Sequence, residues 1–119
     1  MHIPKFEEES HFHKDEFFER IDYDKDTFAE LLKVSIDQLD KDINLLIEKI
    51  ENESIDSIHG LAHKIKGTCR TVSFNRLSKY SEAIEHAADD SIIPENAKLL
   101  IKQEWDIVSD KVKEVLRNE

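Results

Sequence analysis

The chain has 119 residues, of which 39% are hydrophobic and 37% are charged. This length fits one domain that buries about two thirds of its unfolded surface, and the composition is typical of a globular rather than a disordered chain. The formal net charge of -10 at pH 7 argues against a nucleic-acid partner, because binding to phosphates needs a basic face.

The N-terminal segment MHIPKFEEES lacks the basic-then-apolar order of a secretory signal. No apolar run approaches the roughly 20 residues that a membrane span needs, and the lone cysteine, Cys69, cannot form an internal disulfide. We therefore expect a single domain over residues 1–119 in the cytoplasm, without a membrane partner, and we expect residues 1–9 to be mobile. A short helix is predicted around Ser10 to Arg20, where Phe12, Phe17 and Phe18 cap one end of the fold.

Two amphipathic helices follow, each with apolar residues at helical spacing. The first is predicted from Lys25 to Ile50, with Asp24 as its N-cap. The second is predicted from Ile55 to about Val72, with Ser54 as its N-cap, and its apolar stripe includes the cysteine.

The last two helices complete the set. One is predicted from Phe74 or Asn75 to Ala88, capped by Ser73, and the other is predicted to start after Pro94, a residue suited to the first helical position. Four long helices with single apolar stripes and short loops indicate an all-α fold, an antiparallel up-down four-helix bundle with a short extra N-terminal helix.

Four basic or potentially basic side chains lie beside the apolar stripe of the second long helix. With the stripe centred on Ile58, the side chains of His59, His63, Lys66 and Arg70 fall about 80° to 140° away around the helix axis. Gly67 follows in the next turn, where alanine would favour the helix by about 1 kcal/mol. A residue that is unfavourable in a helix, Gly67, thus lies where the basic residues converge.

These residue types permit phosphoryl chemistry. A neutral imidazole such as that of His63 has one free lone pair and acts as a nucleophile, while Lys66 places an ammonium one turn away. Gly67 removes a side chain that would crowd a bulky partner. Two other interpretations stay open on geometry alone: a purely structural role for these residues, and metal binding by His59 and His63 at i, i+4 spacing.

The stretch AHKIKGTCRTVSFNRL resembles the signature of histidine-containing phosphotransfer (HPt) domains. The resemblance extends to the long helix and short loop before it and to AIEHAADD after it, so that nearly the whole chain is covered. The positions that match the signature are Ala62, His63, Ile65, Lys66, Gly67, Thr68, Thr71, Val72 and Leu77. The chain departs from the family at Arg70 and Phe74, where the family has small residues, and at Ser73, where it has glycine.

The resemblance implies a phosphorelay carrier without kinase activity of its own. His63 would accept a phosphoryl group from an aspartyl phosphate of a response-regulator receiver domain and pass it to another receiver, within a pathway fed by a hybrid sensor histidine kinase. It further implies that Lys66 stabilises the phosphoryl group and that Gly67 gives the receiver clearance. Mg²⁺ would come from the receiver, because no clustered carboxylates were identified beside the histidine.

The partner-binding face is expected to include His59 and Arg70, together with Val34 and Leu45, which fall off the buried side of their helix. The role of Arg70 stays open between support of the phosphohistidine site, contact with an acidic receiver pocket and a pairing with an acidic surface residue. Two alternatives to the carrier remain: the phosphorylated N-terminal domain of a chemotaxis-type kinase, and a helical bundle that binds metal or serves as a scaffold.

Overall fold

A computed structural model describes residues 1–118. Within that range it contains five helices: α1 (Lys14–Arg20), α2 (Lys25–Glu51), α3 (Ile55–Thr71), α4 (Asn75–Asp89) and α5 (Ala97–Arg117). The four long helices form a ring in which each contacts two neighbours, so that α3 lies between α2 and α4 and diagonally opposite α5. The predicted all-α bundle with a short N-terminal helix is therefore confirmed.

The core is formed by the apolar stripes that the sequence predicted on the four long helices. Phe17 of α1 packs against Phe28 of α2, with ring centroids 5.2 Å apart, and closes one end of the bundle. Cys69 is fully buried, and this burial raises the pKa of its thiol far above the usual range, so it acts as a small apolar residue. Among the described residues, no helix is both long and apolar enough to cross a membrane.

The N-terminal caps of α1 and α2 come from local side chains. Asp24 accepts a hydrogen bond from the Thr27 amide at 3.0 Å, which confirms it as the N-cap of α2. The α1 helix starts later than predicted, at Lys14, because the His13 ring accepts a hydrogen bond from the Glu16 amide and takes the capping position.

Ser73 does not cap α4, contrary to the prediction. It follows the end of α3 with a φ of 60°, and the Phe74 amide donates to the Cys69 carbonyl across the turn, which is the hydrogen-bond pattern of a helix C-terminus in the left-handed conformation. This conformation explains why the family has glycine there. The buried Ser73 hydroxyl donates to Glu16 and accepts from Arg20, and so ties α1 to this turn.

The last helix starts after Pro94, as predicted, but Pro94 is not in its first position. The α5 helix begins at Ala97, after Asn96. The Glu95 amide donates to the Met1 carbonyl at 3.0 Å, and this bond ties the turn before α5 to the N-terminal segment.

Residues 1–13 form a segment without helix or strand, with one turn after Phe6, that packs across α4 and α5, and we call it the N-terminal strap. Although residues 1–9 were expected to be mobile, the Tyr80 hydroxyl donates to the Lys5 carbonyl at 2.6 Å, and the Arg76 guanidinium donates to the carbonyls of Glu7 and Glu9. The Ile3 side chain is buried, while its backbone exchanges two hydrogen bonds with the Asn96 side chain. These contacts fix the strap on the side of α4 opposite α3.

Candidate functional site

His63 projects from the middle of α3, on the flank of that helix that faces α4. The α3 stripe of Ile58, Ala62, Ile65 and Cys69 is buried, and a position about 100° around the axis from Ala62 lies at the edge of the core. The His63 side chain is accordingly 66% exposed, yet one of its ring nitrogens reaches a buried group.

That buried group is Glu85 of α4, whose side chain is only 6% exposed. One carboxylate oxygen, Oε2, lies 2.6 Å from His63 Nδ1. The other, Oε1, accepts a hydrogen bond from Lys66 Nζ, also at 2.6 Å. Burial alone would raise the pKa of Glu85, but the hydrogen bonds from Lys66 and His63 outweigh burial and lower it, so Glu85 is an anion at neutral pH.

The Glu85 carboxylate fixes the chemical form of the neutral His63 ring. A carboxylate anion only accepts hydrogen bonds, so the 2.6 Å contact requires the proton of the ring to sit on Nδ1. The lone pair of the neutral ring is then on Nε2, the atom farther from Glu85. The arrangement thus prepares Nε2 of a largely exposed imidazole as a nucleophile.

Lys66 is held in place by the same carboxylate. Its side chain is only 12% exposed, and its ammonium group donates a hydrogen bond to Glu85. The spacing on α3 alone would instead suggest an exposed lysine without a partner in the protein. The ammonium therefore offsets the negative charge of Glu85 directly beside His63, which lowers the repulsion that an incoming anion would meet.

His59 joins the cluster from one turn earlier on α3. Its Nδ1 lies 2.7 Å from Asp89 Oδ1, and its Nε2 lies 3.8 Å from Glu85 Oε2. Two carboxylates of α4 thus lie along the histidines of α3: Glu85 contacts His63, and Asp89 contacts His59. Glu85 forms an ion pair with Lys66, and within residues 1–118 no three His, Cys, Asp or Glu side chains are grouped to hold a metal ion.

Arg70 lies two turns after His63 and pairs with an acidic residue of α4. Its guanidinium donates to Glu82 Oε2 at 2.7 Å while the side chain remains 57% exposed. The acidic surface partner that the sequence left open for Arg70 is thus Glu82, and its role toward a receiver stays a prediction. The backbone carbonyl of Arg70 also accepts a hydrogen bond from Arg20 of α1, which satisfies the end of α3.

Both glycines of the chain lie on the exposed face of α3 that also presents His63. Gly60 is three residues before the histidine and Gly67 is four residues after it, so both are its neighbours on the helix surface. Neither has a positive φ, and a Cβ atom added to either would meet no atom within 4 Å. Nothing inside the molecule requires glycine at these positions. Gly60 was not singled out in the sequence, although its spacing from His63 was a usable signal.

Val34 and Leu45 of α2 are exposed, at 60% and 42%. They lie about 60° to 80° around the helix from Asp42, whose carboxylate is 3.4 Å from Lys64 Nζ of α3. Both apolar side chains therefore lie on the side of α2 next to α3. They border the same exposed face as His63 and the glycines.

Glu85 is the main site residue that the sequence did not identify. It lies 22 residues after His63, on a different helix, and helical spacing relates only residues within one helix. The available signal was an acidic residue within the apolar stripe of α4, between the buried Ile84 and Ala88, since a charge is seldom buried unless it is paired.

Comparison with known proteins agrees with this geometry. A family model described as "Hpt domain" matches residues 30–114, which include α3, α4 and Glu85. The structure of histidine-containing phosphotransfer protein B (HptB) from Pseudomonas aeruginosa PAO1 is similar, with a TM-score of 0.80 and 19% sequence identity over 92% of this chain and 96% of that chain. This likeness shows a shared fold. A search of curated proteins gave no significant match.

Proposed function

The chain belongs to the Hpt domain family of phosphotransfer proteins, and from this premise we propose that His63 is the residue that receives and donates the phosphoryl group. The observation that supports this most strongly is the Glu85 carboxylate, which lies 2.6 Å from both His63 Nδ1 and Lys66 Nζ. It leaves Nε2 of an exposed ring as the nucleophile.

The proposed reaction uses the aspartyl phosphate of a receiver domain as donor. The lone pair of His63 Nε2 attacks phosphorus, the bond between phosphorus and the aspartyl oxygen breaks, and the electron pair of that bond remains on the aspartate. The imidazole ring, still protonated at Nδ1, gains a positive charge, and the Glu85 anion stabilises this charge through its hydrogen bond. Transfer onward to another receiver is the reverse of this step.

Lys66 has two functions in this proposal. In the resting site it holds Glu85 in position through the 2.6 Å hydrogen bond. Once the phosphoryl group is on Nε2, the ammonium one helical turn away provides a positive charge beside it. We expect Lys66→Ala to slow transfer while the bundle remains folded.

The partners in this proposal are receiver domains and a hybrid sensor histidine kinase, and we expect the exchange to take place in the cytoplasm. Gly67, and with it Gly60, leaves space for the receiver on the exposed face of α3. Val34 and Leu45 offer apolar contacts at the edge of that face, while His59 and Arg70 lie on its α4 side. The Mg²⁺ needed for aspartyl phosphate chemistry belongs to the receiver.

The test is phosphoryl transfer from a phosphorylated receiver domain. We expect one phosphate per protein molecule, labile in acid and stable in base, and no such label in His63→Gln. His86→Gln is the matched control, because His86 is exposed on α4 and makes no contact with the site, and it should be labelled like the wild type. Unchanged labelling of His63→Gln would contradict the proposal. A parallel incubation with ATP and a histidine kinase catalytic core separates it from the chemotaxis-type alternative.

A further inference from the structure

A cleft that the proposed transfer reaction does not use lies at one end of the bundle, where α1, the start of α2 and the end of α5 meet. It has two parts of about 360 and 380 Å³, both lined by Lys14 and Asn118. Binding sites for small molecules ordinarily have volumes of about 300–1,000 Å³. Because α5 lies diagonally opposite α3, the cleft is away from the face that presents His63.

Aromatic rings form much of the wall of this cleft. Phe12 of the strap lines one part, and Phe18 and Phe28 line the other. Phe12 and Phe18 are half-buried and pack on the buried ring of Phe28, with centroids 6.5 and 5.3 Å from it. These contacts hold the rings in place, so the cleft presents fixed apolar faces on which a planar aromatic group can stack.

Three exposed lysines line the same cleft: Lys14, Lys25 and Lys111. Within residues 1–118 none of the three forms an ion pair, whereas Lys66 and Arg70 beside His63 pair with carboxylates of α4. Lys25 is also the first residue of α2, where the helix dipole disfavours a positive charge. In a chain with a net charge of -10, lysines that converge on one cleft in this way favour an anionic ligand.

One acidic side chain opposes these lysines. Among the described residues that line the cleft, Glu114 is the only acidic one, and it lies in the part that Lys111 also lines. The part beside Lys25 has no acidic residue among its described lining residues. The positive charge is therefore concentrated on the side of the cleft where Phe18 and Phe28 lie.

We propose that this cleft is a second binding site, for a small organic anion that contains a planar aromatic ring. The rings of Phe12, Phe18 and Phe28 provide the apolar contacts of the ligand. The ammonium groups of Lys14 and Lys25 bind its acidic group, because a lysine on a flexible stem can place a point charge beside a carboxylate, sulfonate or phosphate. The inference goes beyond the proposed function and does not rest on it.

The test uses the full chain and the probe anilinonaphthalene sulfonate, an aromatic anion whose fluorescence reports apolar surroundings. Phenylnaphthylamine, the same ring system without the sulfonate, is the matched uncharged probe and should bind more weakly. We expect one saturable site for the anionic probe. In the ¹⁵N-labelled protein, its binding should shift the backbone amide signals of Lys14, Phe18, Lys25 and Asn118 and leave that of His63 unchanged.

Substitution of the lysines separates a specific site from general attraction of charge. Lys14→Gln and Lys25→Gln should each lower the affinity for the anionic probe about threefold, in keeping with the loss of one exposed ion pair, and their combination should lower it further. Glu114→Gln removes the opposing charge and should raise the affinity. Lys41→Gln combined with Lys102→Gln removes the same charge from exposed positions of α2 and α5 outside the cleft, and this control should bind like the wild type.

Three results would overturn the inference. They are the absence of saturable binding by the anionic probe, an equal loss of affinity in the two double variants, and amide shifts that lie away from the cleft. Equally tight binding of the uncharged probe would show an apolar surface without a role for the lysines, and would overturn it as well. None of these results bears on phosphoryl transfer to His63, which is measured separately.

Discussion

At the scale of single residues, the central feature is one buried carboxylate that binds two basic side chains. Glu85 lies 2.6 Å from both His63 Nδ1 and Lys66 Nζ, and these contacts lower its pKa despite burial. His63, Lys66 and Gly67 were identified in the sequence because they lie on one helix, where the number of residues between two positions determines whether they are neighbours on the helix surface. Glu85 was not identified, because the packing of α3 against α4, which brings it to His63, is a tertiary contact.

Replacement of Glu85 separates the effect of its hydrogen bonds from the effect of its charge. Glu85→Ala removes the acceptor for both His63 and Lys66, so we expect transfer to His63 to slow at least about tenfold, since a charge-assisted hydrogen bond contributes roughly 1.5–3 kcal/mol. Glu85→Gln retains an acceptor oxygen for the Nδ1 proton and should lose less. Rapid-quench measurement of transfer from a phosphorylated receiver checks both variants, and a wild-type rate in Glu85→Ala would exclude a role for this carboxylate.

At the scale of elements, α3 carries two glycines at a cost to its own stability. Because an added Cβ atom meets nothing within 4 Å, we expect Gly60→Ala and Gly67→Ala each to raise the free energy of unfolding by up to about 1 kcal/mol. The glutamine variants at the same positions should slow transfer from a receiver, since their side chains occupy the face beside His63.

Urea unfolding and transfer assays on the same glycine variants measure the two effects separately. Asp106→Gln is a suitable control, because it places a glutamine on the exposed surface of α5, diagonally opposite α3. Wild-type transfer rates in Gly60→Gln and Gly67→Gln would mean that the glycines do not provide clearance for a partner.

The N-terminal strap contacts a buried carboxylate of α5 whose pKa is shifted in the opposite direction to that of Glu85. Glu104 of α5 is 3% exposed and lies 2.7 Å from His11 of the strap. Burial raises its pKa, and the hydrogen bond from His11 offsets this only in part. The folded state thus binds the Glu104 proton more tightly than the unfolded state, so the contribution of Glu104 to stability is full below its unfolded pKa of about 4.3 and declines as pH rises through the raised pKa.

We therefore expect Glu104→Gln, which removes this titration, to gain stability relative to the wild type as pH rises from about 4 to about 7. Urea midpoints at the two pH values measure the change. Glu8→Gln, at an exposed glutamate of the same strap, should show no such gain. If the difference between Glu104→Gln and the wild type does not vary with pH, the pKa of Glu104 is not raised in the folded protein.

At the scale of the whole molecule, the sequence predicted the helical bundle but not every helix boundary or the contacts of the N-terminal strap. Apolar periodicity located the four long helices because burial of one stripe per helix determines them. The C-terminal ends of α2, α3 and α4 lie within one residue of the predicted ones, although the left-handed residue after each helix is Glu53, Ser73 or Ser91 rather than the usual glycine. The start of α1 and the cap of α4 were predicted wrongly, because the hydrogen bond of the His13 ring and the conformation of Ser73 cannot be read from the apolar pattern. The strap was also missed, because hydrogen bonds to its backbone leave little trace in the sequence.

The distribution of charge also becomes clear only at this scale. The chain has a net charge of -10, and the basic band along α3 suggested a local positive patch. In the structure, Glu85 and Glu82 of α4 pair with Lys66 and Arg70 of this band, and Asp42 of α2 pairs with Lys64 on the other side of α3. The exposed face of α3 is therefore largely neutralised, and we expect its docking to depend on shape and apolar contacts more than on attraction of charge.

The central claim is that His63 carries the phosphoryl group on the ring nitrogen that Glu85 leaves free. Two-dimensional nitrogen–proton NMR of the protein labelled with ¹⁵N in its histidines, recorded before and after phosphorylation by a receiver, tests this most directly. We expect phosphorus to be bonded to His63 alone among the histidines, at Nε2, with a proton retained on Nδ1. Phosphorus on Nδ1 of His63, or on any other residue, would contradict it.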